Sequence, residues 1–154
     1  PMIIRYPKII KENSIVLQQC LNIDIAPTIL NLAGIAIPDY MQGDSMLNLI
    51  SNNIENNWRK SFLFEYYKDA SWPHAGPNHI AVRTNEFKLV ESFLENDIDE
   101  LYDLLNDPGE MTNLIGNSNY DAIENQLRVE LLRLQKKYKY NPDRDWWLRT
   151  IIEN

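Results

Sequence analysis

The stretch Asn22-Ile23-Asp24-Ile25-Ala26-Pro27-Thr28-Ile29-Leu30-Asn31-Leu32-Ala33-Gly34, followed by Pro38 and Met41-Gln42-Gly43-Asp44-Ser45, is the most telling part of this chain. Pro27 falls in the first turn of a helix, where its missing N–H is not needed. Asp24, just ahead of it, can cap free amides or face the positive end of the helix dipole. Ile25, Ile29, Leu32 and Ala33 recur at helical spacing, which predicts one apolar face and a buried helix. Gly34 is placed to end that helix in the left-handed conformation. Pro38 and Gly43 then mark a loop.

Working outward, Met2 to Tyr6 reads as a short buried strand ended by Pro7. Leu47 to Ile50 continues as a helical turn, and the asparagine-rich run 51–57 reads as a surface loop. Phe62 to Tyr67 is aromatic and strand-like. Residues 80–93 alternate as a hairpin with its turn at Asn85-Glu86. Glu100 to Leu104 gives a further strand, closed by Asn106-Asp107-Pro108-Gly109, and the short connections favour antiparallel pairing. Residues 120–140 carry the strongest helical pattern. Ile123, Leu127, Leu131, Leu134 and Tyr138 form one apolar stripe, with acidic residues early and basic ones late. Asn141-Pro142 should end it, and the tail Asp145-Trp146-Trp147-Leu148 is apolar enough to dock.

A chain of 154 residues has room for a modest core, and 44% hydrophobic with 24% charged residues is ordinary for a globular protein. The net charge of −7 argues against nucleic acid as a partner. It leaves room for an anionic substrate held by a local basic pocket. One cysteine rules out an internal disulfide. No apolar run approaches a membrane span, and no signal peptide is seen. An opening on what reads as mid-strand suggests that the true N-terminus lies elsewhere. The lack of any Asn-x-Ser/Thr acceptor fits a bacterial source.

The residue order from Asn22 to Ser45 resembles the stretch that follows the active-site half of the type I sulfatases, the formylglycine-dependent sulfuric ester hydrolases of the alkaline-phosphatase superfamily. Four more segments resemble that family's C-terminal region, in the same order. These are Pro1 to Pro7, Trp58-Arg59 with Phe64-Glu65-Tyr66, the run Val82-Arg83-Thr84-Asn85-Glu86-Phe87-Lys88-Leu89, and Glu100-Leu101-Tyr102-Asp103-Leu104 with Asp107-Pro108, Glu110 and Asn113-Leu114. Trp58-Arg59 is expected to open the first strand of the small subdomain. Most of these positions read as structural: Arg83 and Lys88 as a solvated or salt-bridged face, Glu110 as a cap for the segment after the turn.

The resemblance implies an α/β fold: the last part of an alkaline-phosphatase-like domain over residues 1–57, then a C-terminal subdomain over 58–154, in which a small antiparallel sheet packs on a long helix. It implies a sulfatase acting on sulfate esters, with a sulfated carbohydrate as the expected substrate class. It also implies calcium and a formylglycine residue in the parent enzyme, and a periplasmic or extracellular setting. The formylglycine arises from Cys or Ser in a Cys/Ser-x-Pro-x-Arg context and supplies the nucleophilic hydroxyl. Cys20 is followed by Leu21-Asn22-Ile23-Asp24, so it departs from that motif and reads as a buried thiol. Asp24 and Asp44 do not match the family's metal motifs, and a hard cation needs several such oxygens. The chain alone is therefore expected to lack nucleophile and metal ligands, to be inactive, and to need an N-terminal catalytic region as partner.

Two histidines remain, in the Gly- and Pro-rich loop from Ser71 to His79, a common setting for binding residues. In similar sulfatases a His near the place of His79 lines the substrate cleft. An imidazole or its cation can donate to a sulfate or sugar oxygen. His79 is the first candidate for substrate binding and His74 the second, while Trp72 could stack on a sugar ring. The rival readings are a phosphodiesterase or phosphonate hydrolase on a related scaffold, and a non-catalytic binding or scaffold module.

Overall fold

The computed structural model describes residues 2–51, 57–67, 78–93 and 98–140. The chain folds as two compact units, residues 1–59 and 60–154.

In the first unit, a 3-10 turn at Asn22–Asp24 leads into α1 (Ile25–Leu32), and α2 (Leu47–Ile50) follows after a loop. Pro27 is buried in the first turn of α1. Gly34 ends the helix with φ +70°, and the Ile35 N–H returns to the Leu30 carbonyl at 2.9 Å. Two expectations fail here. Met2 to Tyr6 forms no strand, and Ile3 is 96% exposed. A strand needs a neighbour for its N–H and C=O groups, and the described residues of this unit contain none. The apolar face of α1 is present but uncovered: Ile29 is 59% exposed, and Ile25 and Leu32 are also exposed. The buried side is the one bearing Pro27 and Thr28, which faces the 43–46 loop through the Thr28 hydroxyl and the Met46 N–H, 2.9 Å apart.

Ile15, Leu17, Ile35 and Tyr40 are exposed as well, so one unit carries many uncovered large apolar side chains. Soluble monomers rarely leave such surface bare. The 154-residue chain on its own is therefore expected to self-associate and to brighten a hydrophobic dye in its folded state. A monodisperse, dye-silent monomer would overturn this.

The second unit is a meander of four antiparallel strands, in spatial order β1 (Ser61–Tyr66), β2 (His79–Thr84), β3 (Phe87–Ser92) and β4 (Glu100–Asp103), followed by α3 (Asp121–Lys137). Side chains alternate across the sheet. One row runs Leu63, Val82, Leu89, Leu101 through directly paired positions. With Ile80 it meets Leu127, Leu131 and Leu134 of α3 in a single buried cluster, and Ile123 and Tyr138 pack against its edge. The stripe predicted for this helix is thus the face that closes the core. The β2–β3 turn is pinned by Thr84, whose hydroxyl oxygen accepts from Phe87 N at 2.9 Å and Glu86 N at 3.2 Å. Residues 111–114 run beside β4: Leu101 N donates to Asn113 Oδ1 at 3.0 Å, and Leu114 N to Leu101 O at 2.9 Å. That cover removes the open edge a short sheet would otherwise present.

Trp58 and Arg59 precede β1, which begins at Ser61. Both side chains bond back into the first unit and take no part in the strand.

Candidate functional site

The most developed polar arrangement in the first unit is centred on Asp24, whose side chain is fully buried. One carboxylate oxygen accepts from Leu21 N at 2.7 Å, capping the 3-10 turn, and the other accepts from Asp44 N at 2.9 Å. Both are gripped by the Arg59 guanidinium, with Nη2 at 2.7 Å from Oδ1 and Nη1 on Oδ2. Arg59 is 9% exposed, also donates to Asp44 Oδ2 at 2.9 Å and Gln19 O at 3.2 Å, and lies 4.5 Å over the Trp58 ring. The Trp58 indole N–H donates to the same Gln19 carbonyl at 2.8 Å. Burial pulls the Arg59 pKa down, but hydrogen bonds and charge attraction from Asp24, then Asp44, hold it above its ordinary value. Asp24 therefore does not cap α1, as its place before Pro27 suggests. It joins segments 19–24, 43–44 and 58–59 into one node. A forked, bidentate guanidinium suits that task.

Cys20 is half-buried beside this node, on the rim of a cavity of about 410 Å³ whose lining includes Met2, Ile4, Val16, Met46 and Ile50. Burial and then the Asp24 charge push the thiol up from its ordinary pKa, with Arg59 pulling the other way. A thiol held protonated is a poor nucleophile.

In the second unit, the sheet face opposite α3 carries the remaining candidates. His79 opens β2, half-buried, paired with Tyr66 on one side and Ser92 on the other. Its ring stacks on Tyr66 at 5.1 Å and 16°, and on Phe64 at 5.8 Å and 29°. The imidazole is thus oriented by aromatic walls, not carried on a loop. His74 and Trp72 lie outside the described residues, as do 52–56 and the tail from Asn141. Further along the same face, Arg83 and Lys88 are directly paired across β2 and β3. Lys88 forms an ion pair with Glu110, and Arg83 Nη1 is 4.0 Å from the other oxygen of that carboxylate. Glu110 does not cap the segment after the turn. Asp107 does, its Oδ2 accepting from Met111 N at 2.7 Å and Thr112 N at 2.8 Å.

The family model described as N-sulphoglucosamine sulphohydrolase, C-terminal, matches residues 1–137. The chain belongs to this sulfatase C-terminal family. An N-acetylglucosamine-6-O-sulfatase of Bacteroides thetaiotaomicron is 39% identical over 148 residues, covering 93% of this chain and 26% of the relative. The solved structure of BT4656, in complex with its substrate D-glucosamine-2-N,6-O-disulfate, superimposes with a TM-score of 0.85 at 37% identity, over 91% of this chain and 28% of that one. A phosphonate monoester hydrolase from Silicibacter pomeroyi superimposes with a TM-score of 0.62 at 26% identity, over 75% and 24%. The chain spans about a quarter of the length of these proteins. Its fold is accordingly α/β of the alkaline-phosphatase-like kind, with the small antiparallel sheet and long helix of a sulfatase C-terminal region.

The family's metal and formylglycine do not fit the described residues of this sulfatase region. Among them no three or more His, Cys, Asp or Glu side chains converge where they could hold a metal ion. The oxygens of Asp24 are already taken by two backbone amides and Arg59, and Cys20 lacks the modification context. What the sequence alone missed is the Arg59 node, whose partners lie 35 and 15 residues away. A Trp-Arg pair after a polar loop gave no signal of it.

Proposed function

We propose that the protein containing this chain hydrolyses sulfate esters of a sulfated carbohydrate, and that this chain supplies its C-terminal subdomain and one wall of the substrate cleft. The observation that carries the reading is the 39% identity to an N-acetylglucosamine-6-O-sulfatase along 93% of the chain. In this reading residues 1–57 complete the catalytic domain and 58–154 form the subdomain. The exposed face of α1 and the apolar residues of Met2 to Tyr6 are the surface that an N-terminal catalytic region covers. That region holds the formylglycine and the calcium ion, and this chain contributes no step through either. Expressing the chain with such a region and measuring sulfate release from a 6-O-sulfated glucosamine tests the reading. Absence of turnover on sulfated sugars, with phosphonate monoesters cleaved instead, would favour the phosphonate hydrolases, which share the scaffold at a TM-score of 0.62.

Within this reading His79 contacts the part of the substrate that carries the sulfate. Its stack on Tyr66 and Phe64 fixes the ring, so a ring nitrogen can donate to a sulfate or sugar oxygen without first being ordered. His79→Ala removes a hydrogen bond that contributes about 1.5–3 kcal/mol when charge-assisted. kcat/KM should fall roughly ten- to a hundredfold, while stability falls by only about 0.5–1.5 kcal/mol from the lost ring stacking. Wild-type kinetics in the assembled enzyme would remove His79 from the cleft. His74 is the second substrate-binding candidate on the same grounds of sequence.

A further inference from the structure

We propose that Arg83 is a specificity-determining residue that binds a second anionic group, a sulfate or carboxylate, on the sugar whose sulfate ester is cleaved; this rests on the sulfatase reading above.

Side chains at every second position of a strand share a face, so His79, Ala81 and Arg83 lie in line along β2. Phe64 is paired with Ala81, and Lys88 with Arg83. Among the residues of this face between them, Ala81 and Val90 are buried and Phe64 is 44% exposed. His79 and Arg83 are four residues apart, roughly 13 Å at the rise of a strand. Imidazole, aromatic ring and guanidinium therefore follow one another over the length of one or two sugar rings.

Charge singles out the Arg83 end. Two cations there share one carboxylate. Glu110 is paired with Lys88, while Arg83 stands at 4.0 Å, the outer limit of an ion pair, with 47% of its side chain exposed. Glu100 and Asp107 act on the Tyr102 hydroxyl, beside Lys88, so the exposed charge that remains for a ligand is the Arg83 guanidinium. Glu110 also holds a left-handed backbone, φ +52°, which a residue with a Cβ adopts at a cost. The Asp107 turn keeps it there, with Glu110 N donating to Asp107 O at 3.0 Å. The carboxylate is thereby directed to Lys88, and the guanidinium fork of Arg83 is left with donors for a bidentate oxyanion. A sugar stacked on Phe64 with one oxyanion near His79 would bring a second one to Arg83.

The test compares glucosamine-6-O-sulfate with glucosamine-2-N,6-O-disulfate as substrates of the full-length enzyme that contains this chain. For Arg83→Gln, kcat/KM on the disulfate should fall about tenfold further than on the monosulfate, mostly through KM. Arg83→Lys, which keeps the charge but not the fork, should recover part of that ratio. Equal losses on both substrates with a lowered Tm would make Arg83 structural and overturn the proposal, as would no change on either. If the wild-type enzyme cleaves no sulfate ester, the sulfatase reading fails by itself. Arg83 is then judged by NMR titration of the full-length protein, labelled at its arginines, with the disulfate. A saturable shift of its Nε–H supports an oxyanion site, and none overturns it.

Discussion

Replacing Arg59 with alanine should destabilise the first unit by about 3–5 kcal/mol, because it leaves a fully buried carboxylate without its counter-charge. Exposed ion pairs contribute far less, about 0–1 kcal/mol, but this pair is not exposed. The Asp24 side chain is 0% and the Arg59 side chain 9% accessible, so neither water nor salt can take over. The cost should be read at particular amides. Leu21 N and Asp44 N donate to Asp24, and their hydrogen-exchange protection should fall in Arg59→Ala while the amides of the sheet and α3 keep theirs. The double substitution Asp24→Leu with Arg59→Met should be milder than Arg59→Ala alone, since it removes both charges and retains volume. A loss below 1 kcal/mol for Arg59→Ala would mean that Asp24 finds another partner or is reached by solvent, and that the node does not fasten the three segments.

The parts of this fold that local periodicity determines were legible in the sequence. Five apolar residues at helical spacing predicted both the existence of α3 and the face it buries, because a long amphipathic helix has only one way to hide that stripe. The β2–β3 turn at Asn85-Glu86 was legible because the alternation breaks there and Thr84 can pin it. Periodicity was silent on what covers an apolar face. Ile25, Ile29 and Leu32 announce a stripe, and whether it is buried depends on a surface that these residues do not encode. The same holds for Met2 to Tyr6, whose β-propensity is real but whose strand requires a partner.

The site was legible in the opposite sense. The Gly- and Pro-rich sequence around His79 predicts a loop, whereas the structure gives it a strand position and two aromatic walls. The place of Asp24 before Pro27 predicts a helix cap or a partner for the helix dipole, whereas its carboxylate serves a node assembled across 35 residues of sequence. Long-range hydrogen bonds leave no mark at a fixed spacing. In this chain, Asp24 and Asp44 of the stretch from Asn22 to Ser45 serve a fastening. Thr28 supports this: its hydroxyl donates to the Asp24 carbonyl at 2.6 Å and accepts from Met46 N at 2.9 Å, tying α1 to the loop after Gly43.

Gly43 is where that fastening is least forgiving, and Gly43→Ala should cost about 3 kcal/mol or more. A Cβ built on this residue would stand 2.1 Å from the Ile23 carbonyl oxygen and 3.0 Å from Asp24 N. Both obstacles are backbone, so no side chain can rotate aside. The loop must move by an ångström or so, and overpacking of this kind costs about 1–3 kcal/mol before any bond is lost. Moving it also pulls Asp44 N off Asp24 and the buried Met46 N off Thr28, and a buried donor left unpaired costs about 1–3 kcal/mol. Gly109 supplies the control. Its Cβ would meet side-chain atoms alone, Met111 Cγ at 3.4 Å and Asp107 Oδ1 at 3.9 Å, so Gly109→Ala should stay within about 0.5 kcal/mol of wild type. Chemical denaturation of the two variants, followed at the Asp44 and Met46 amides, separates them. Equal stabilities would mean that the 43–46 loop does not press on the start of α1, and that the glycine serves only the turn.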